Sequence, residues 1–493
     1  MRLPGMAALA AALAFLAGAA AAAPRTDIVV GMQLEPPHLD PTAGAAAAID
    51  EVVYANVFEG LTRFAPDGTI VPALAESWDI APDGLSWVFH LRHGVKFHDG
   101  TPMTAEDVVF SFDRAMAKDS VNAQKQLFQG INEVTAIDDA TVEIGLDAPK
   151  GSLPFNLAWG DAVIVSPATA DQNKTHPVGT GPFKFSSWVQ GDHVELVKNP
   201  DYWGTPARLD KVTFKFISDP TAAFAAMMAG DIDAFPNFPA PENLAQFAAD
   251  PRFQVLVGAT EGETILAMNN ARKPFDDVRV REAVAHAIDR KAVIDGAMFG
   301  YGTPIGTHFS PANPAYEDLT GLSAYDPERS KALLAEAGLK DGFKTTLALP
   351  PPSYARRGGE IVAAELRAVG IDAQIVNMEW AQWLEKVFTS HDFDLTIVSH
   401  TEPMDIGIYA RKDYYFGYDD PVMRALMAGV EATGDPAEQA EILRAAQERI
   451  AQRYVNAYLF QLAKTGVADA RIRGLWVNSP TQATDMTGVY WAE

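Results

Sequence analysis

LAESWDIAPDGLSWVFHLRHGVKFHDGTPMTAEDVVFSF, residues 74–112, packs a hairpin, a turn and a capped helix into one run. Residues 76–80 and 86–91 are rich in aromatic and β-branched side chains, and Pro82-Asp83-Gly84 between them supplies the chemistry that reverses a strand. Thr104-Ala105-Glu106-Asp107 then reads as a helix start, with the threonine hydroxyl taking an orphan amide ahead of Val108, Val109, Phe112 and Ala115 at helical spacing. Nothing in the run is chemically reactive, so it speaks to architecture.

At 493 residues the chain is long for one core, and two or three domains are expected. Hydrophobic residues at 48% describe an ordinary globular composition. Arg2, an apolar run over residues 6–23 and the closing Ala20-Ala21-Ala22 predict a secretory signal cleaved after Ala22. There is no cysteine, which excludes disulfides, thiolate-held metal, a thiol nucleophile and a lipid-modified cysteine. A free periplasmic monomer is the expectation. The net charge of −25 argues against nucleic acid or an anionic membrane as partner, because phosphate binding needs clustered Lys and Arg.

Along the chain, a strand at residues 28–32 leads into a loop at 33–41 and a helix presenting Ile49, Val52, Val53 and Val57. Residues 61–176 are strand and hairpin rich, including a hairpin around Asp138-Asp139. After 177–183 strands alternate with helices: strands at 183–188, 193–198, 212–217 and 232–235, a helix at 220–229, and closing strands at 253–257 and 264–268. That alternation predicts a sheet with helical crossovers. A second lobe opens with a helix whose Val280, Ala283, Val284, Ala287 and Ile288 pack inward while Arg279, Arg281 and Glu282 face water. Asp326-Pro327 starts and Gly338 ends another helix. Strand 344–349, helix 354–369, strands 371–377 and 395–399, and helices 421–429 and 436–454 follow.

Further runs join the opening one: PVGTGPFKF at 177–185, NPDYW at 199–203, GDIDA at 230–234, PFDDVRVREAVAHAI at 274–288 and YDPERSKALLAEAG at 325–338. In this order, from about residue 34 to residue 468, the chain resembles the extracellular solute-binding proteins, family five, of peptide and nickel ABC transporters. The resemblance implies an α/β, two-lobed periplasmic binding protein fold with mixed sheets, a hinge between lobes and an inserted α+β subdomain. Lobe I is expected from residues 23–61, 177–268 and 468–493, the insert from 62–176 and lobe II from 269–467. It also implies capture of a small solute, a di- or oligopeptide first, for delivery to an ABC permease. A nickel chelate, an opine or a sugar is the alternative ligand, and a periplasmic hydrolase the more distant alternative.

The residues give an enzyme little support: there is no GxSxG elbow and no HExxH helix. His90, His93 and His98 lie in a strand and the turn after it, with nothing to bring them to one face. Gly179 and Gly181 lack the Lys-Ser or Lys-Thr of a phosphate loop, and Gly300, Gly302 and Gly306 miss the dinucleotide spacing by one residue. No catalytic residue, metal or cofactor is expected. The informative loop is SHTEPMDIGIYARKDYYFGY, residues 399–418, which follows an apolar strand and carries His400, Glu402, Asp405, Arg411, Tyr414 and Tyr415. Aromatics there can cover apolar parts of a solute, and charged groups can meet its ends. Peptide-binding relatives carry in this region an acid that pairs with the ligand's amino group, which the resemblance places on Asp405, with Glu402 second. The usual Trp and Asp-Pro-Asp are replaced here by His400, Glu402-Pro403 and Met404-Asp405. Glu35, His38, Trp380, Trp383 and Arg356 are further candidates, with core packing expected for at least one tryptophan.

Overall fold

The computed structural model describes residues 25–44, 46–401 and 405–492, so the expected signal at residues 1–22 and the candidate Glu402 lie outside the described residues. One mixed sheet runs through both lobes. From edge to edge its strands are Ile371–Asn377, Phe343–Leu349, Leu395–His400, Phe253–Met268, Asn456–Asp469, Ala234–Phe235, Asp27–Met32, Lys211–Phe216, His193–Lys198 and Phe183–Val189. Gly302–Pro304 adds beside Asn456–Asp469.

Phe253–Met268 and Asn456–Asp469 are the strands that cross between lobes, and their antiparallel ladder breaks midway. Ala259 faces Ala463 and Glu263 faces Gln461, leaving Thr260, Glu261 and Gly262 opposite Leu462. The Thr260 hydroxyl donates to the Leu462 carbonyl at 2.7 Å and accepts from the Gly262 amide at 2.9 Å, so the extra residues are locally satisfied. Beyond the break, residues 263–268 pair with Leu395–His400 of lobe II, whereas residues 467–468 pair with Ala234–Phe235 of lobe I. What the sequence suggested as two strands, 253–257 and 264–268, is one strand. Its residues 263–268 have Leu395–His400 as a second partner, which residues 253–259 lack.

Both lobes bury both faces of this sheet, as side-chain alternation requires. In lobe II Leu266 and Met268 join Phe275, Val284, Val362 and Leu366 on one face; Ile265 and Ala267 join Tyr409, Tyr415, Phe416 and Met423 on the other. In lobe I Ile28 and Val30 pack on Val52, Phe214, Val489 and Trp491, which returns the C-terminus to that lobe. Arg281 corrects a sequence expectation. It is buried, not solvated, because its guanidinium donates to the carbonyls of Phe275, Arg453 and Tyr454 at 2.7, 3.0 and 3.0 Å. Among the described residues no helix is long and apolar enough to cross a membrane.

The insert is a four-stranded antiparallel sheet, in order Ala75–Ile80, Ser86–Leu91, Thr141–Leu146 and Ile131–Asp138, under the helix Ala105–Met116. Gly84 at φ +71° makes the hairpin turn and the Asp83 carboxylate accepts from the Leu85 amide. At the helix start the Asp107 carboxylate reaches back to the Thr104 amide at 2.8 Å. The three histidines of this region go separate ways: His90 bonds Asp79, whereas His98 lies 2.9 Å from the Gly181 carbonyl and ties the insert to the returning chain.

The insert also touches lobe II, at the end of the helix Pro421–Ala432. The Gly151 amide donates to the Glu431 carbonyl at 2.9 Å, and the Ser152 hydroxyl to the Glu431 carboxylate at 2.8 Å. A Cβ on Gly151 would stand 1.8 Å from the Thr433 carbonyl oxygen, so only glycine permits the approach. Gly151→Ala is therefore expected to separate insert from lobe II with the melting temperature little changed. Small-angle scattering on the ligand-free protein checks this by an increased radius of gyration, and an unchanged curve would refute it.

Candidate functional site

Strands Asp27–Met32, Lys211–Phe216 and Ala234–Phe235 run parallel in lobe I, as Phe343–Leu349, Ile371–Asn377 and Leu395–His400 do in lobe II. Both sets finish toward the break in the crossing strands: His400 lies opposite Glu263, and the Phe238 amide donates to the Thr465 carbonyl. Ligands of α/β sheets collect at such carboxyl ends, where backbone groups and loop side chains are free to turn outward.

On the lobe II side, Asp405 opens the short helix Asp405–Ala410 and is held by two imidazoles. His308 Nε2 donates to Oδ1 at 2.7 Å and His400 Nδ1 to Oδ2 at 3.1 Å. The other ring nitrogen of each is also engaged: Tyr409 Oη lies 3.1 Å from His308 Nδ1 and Tyr415 Oη 3.1 Å from His400 Nε2. His400 stacks on Tyr415 with an 8° interplanar angle. Burial alone would raise the Asp405 pKa, but the His308 charge, with hydrogen bonds from both histidines, outweighs it and holds the carboxyl well below the usual range. Glu261, at the break itself, is buried beside Ser310 and within reach of the Asp405 charge. Burial first, then Asp405, pushes it up to about 7, against the Ser310 hydrogen bond.

On the lobe I side, Gly31, Met32, Gln33, Leu34, Glu51 and Asn237 line a small pocket of about 90 Å³. Asn237 Nδ2 donates to Glu51 Oε1 at 3.3 Å, and burial raises Glu51 to about 7. Lys464, in the crossing strand, donates to the Trp476 carbonyl at 2.9 Å; its burial, opposed by the Glu51 charge, lowers it to about 8.

The structure gathers some sequence-derived candidates and scatters others. His400, Asp405, Tyr414 and Tyr415 form one group, joined by Trp383, whose indole packs on Tyr415 and donates to Thr396 at 2.9 Å. Trp383 is core; Trp380, in edge contact with it, is 41% exposed, and Leu384 and Phe388 continue an exposed apolar stripe. Arg356 reaches Glu379 at 3.1 Å beyond this stripe, and Arg411 lies over Tyr414. Across the cleft, Glu35 accepts from Trp188 and Gly191 at 3.0 and 2.9 Å, which fastens its loop to the hairpin 183–198. His38 accepts from the Asp40 amide and packs on Gly44. The sequence reading passed over His308, Tyr409, Glu261, Glu51 and Lys464. Two acids, Glu261 and Glu263, in the gap between the two expected strands were the available signal for the hinge floor; nothing local marked His308.

This architecture is that of the two-lobed binding proteins. Residues 69–408 match the family described as Bacterial extracellular solute-binding proteins, family 5 Middle, and the chain belongs to that family. It is 33% identical to Heme-binding protein A of Haemophilus influenzae, over 67% of this chain and 66% of that protein, so it aligns with just under two thirds of that relative. It is 30% identical to Glutathione-binding protein GsiB of Escherichia coli O1:K1, over 97% of this chain and 96% of the relative. Among solved structures, the periplasmic binding protein DppA of Helicobacter pylori in complex with peptide STSA superposes with a TM-score of 0.79 at 27% identity, covering 95% of this chain and 99% of that one. The chain is a binding protein and not an enzyme.

Two outcomes follow from the electrostatics. Asp405→Asn leaves two imidazoles without their carboxylate, and unfolding by urea should show a loss of about 3 kcal/mol at pH 7. The parent's Asp405 stabilisation is present above the unfolded carboxyl pKa and disappears as acid protonates the group. Glu261 has the opposite sign: its raised pKa gives stability below the unfolded value that is lost as pH rises through about 7. Glu261→Gln should therefore become more stable relative to parent from pH 5 to pH 8, read as a growing difference in melting temperature; a constant difference would mean Glu261 does not titrate there.

Proposed function

We propose that the protein is the periplasmic solute-binding component of an ABC importer, exported with removal of residues 1–22 and working as a monomer. It captures a di- or oligopeptide between its lobes and delivers it to a membrane permease. The observation that carries this is the break at 260–262: two rigid half-sheets aim their carboxyl ends at one cleft and share only two crossing strands. A solute that touches both halves stabilises the closed form by its differential affinity, and moving closure from about 1% to 99% takes roughly 5.5 kcal/mol.

A peptide's ends suit the groups there. Its amino end meets the carboxyl groups of Glu51, which lines the lobe I pocket, and Glu261, which is buried at the break. Asp405 acts with them as part of a cluster, since each of its oxygens already accepts from an imidazole. Arg356, bonded to the exposed Glu379 and 40% exposed itself, meets the carboxylate end. Trp380, Tyr414 and the rest of the apolar stripe cover the solute's side chains.

The test is a thermal-shift panel of di- to pentapeptides, haem, nickel chelates, opines and saccharides. A ligand that binds only the folded chain raises the melting temperature in proportion to ln(1 + [L]/Kd), and peptides are expected to do so. A shift with another class and none with any peptide would replace the ligand. Glu261→Gln should weaken the best peptide by about tenfold in calorimetry, equal to about 1.4 kcal/mol.

A further inference from the structure

His308, His400 and Asp405 come from three separate segments. His308 follows the strand Gly302–Pro304, His400 ends Leu395–His400, and Asp405 starts Asp405–Ala410. Their ligand-type atoms all lie within 4.8 Å of one another. Both histidines are buried to nine-tenths or more, and the Asp405 side chain is nearly so. We propose that His308 Nε2, His400 Nδ1 and a carboxylate oxygen of Asp405 bind one divalent transition-metal ion at the hinge end of the cleft.

Donors held at about 2.0–2.2 Å from a tetrahedral ion stand roughly 3.3–3.6 Å from one another. His308 Nε2 stands 2.7 Å from Oδ1 and His400 Nδ1 3.1 Å from Oδ2, about 0.6–0.9 and 0.2–0.5 Å short of that spacing and on different oxygens, so the donors move apart and the carboxylate turns one oxygen inward as an ion enters. The tyrosines make the arrangement more than a proximity. Tyr409 and Tyr415 each engage the nitrogen that faces away from Asp405, which fixes both rings with the inner nitrogen directed at the carboxylate. Outer hydroxyls or carbonyls on the far nitrogen are what ligating histidines use to hold tautomer and orientation. Asn456 in turn donates to Tyr409 at 2.9 Å, so the support extends to the crossing strand.

Charge favours a cation as well. Asp405 and the neighbouring Glu261 bring two carboxyl groups to one buried place, and the ion would replace the protons that now lie between imidazole and carboxylate. Two imidazoles and one carboxylate leave coordination positions for water or a solute donor, and this donor set suits zinc, nickel, cobalt or iron(II) over calcium or magnesium. The inference goes beyond peptide capture and needs no ligand.

The test uses the full mature chain stripped with chelator and no peptide. Titration with Zn²⁺ and Ni²⁺ in calorimetry is expected to show one saturable ion per chain, with a rise in melting temperature. Co²⁺ should give the visible absorption bands of inner-sphere nitrogen ligation, read on the parent so that the result does not depend on any variant folding. His308→Gln and His400→Gln should each weaken Zn²⁺ by at least about tenfold. Absence of saturable binding and of cobalt bands in the parent would overturn the site, as would folded variants of both histidines that bind like the parent. Because no peptide is present, failure here leaves peptide capture standing, and a peptide-negative panel leaves this site standing.

Discussion

Two antiparallel strands whose ladder cannot run unbroken are the constraint on which the molecule depends. Elsewhere the register slips by single residues only, at Thr264–Ile265 and at Phe185–Ser187, and the sheet is covered on both faces, so each half resists bending. At Thr260, Glu261 and Gly262 two extra residues interrupt the register, and the Thr260 side chain, not a cross-strand pair, satisfies the local groups. Rotation concentrated there disturbs few hydrogen bonds, while rotation anywhere else would break a core. The cleft and its polar floor follow from the position of that interruption.

The same place concentrates charge. Glu261 sits in the interruption, Glu263 just after it pairs with His400 of the neighbouring strand, and Asp405 lies five positions beyond His400 in the sequence. Groups that would be costly elsewhere in a buried sheet are tolerated because the strand is already irregular and because imidazoles and hydroxyls meet them. Structure and polarity are thus coupled at the hinge: the defect that permits motion also provides the opening for buried acids.

How far the sequence revealed this depends on range. The hairpin at Pro82-Asp83-Gly84 and the helix from Pro327 to Gly338 were legible because a few adjacent residues carry their own turn and cap chemistry. The crossing strand was read as two, since Gly258, Gly262 and two acids look like a turn when no partner is in view. Arg281 was assigned to solvent because helical periodicity says nothing about carbonyls at residues 453 and 454 that come to it from another helix. In the site, His400, Asp405 and Tyr415 stood out in one loop, but the histidine that shares Asp405 lies 97 residues away. Glu51 and Lys464 likewise acquire meaning only when the helix Ala47–Val53 is brought near the strand Asn456–Asp469, over 400 residues further along the chain.

The Gly151 and Ser152 contact with Glu431 gives a last consequence. It joins parts outside the crossing strands, and no residue in it lines the cleft pocket. The seam enters every solute's affinity without touching any of them, because apparent Kd scales inversely with the fraction of the chain that is competent to bind. A change there tightens or loosens all solutes together, whereas their ranking belongs to the cleft.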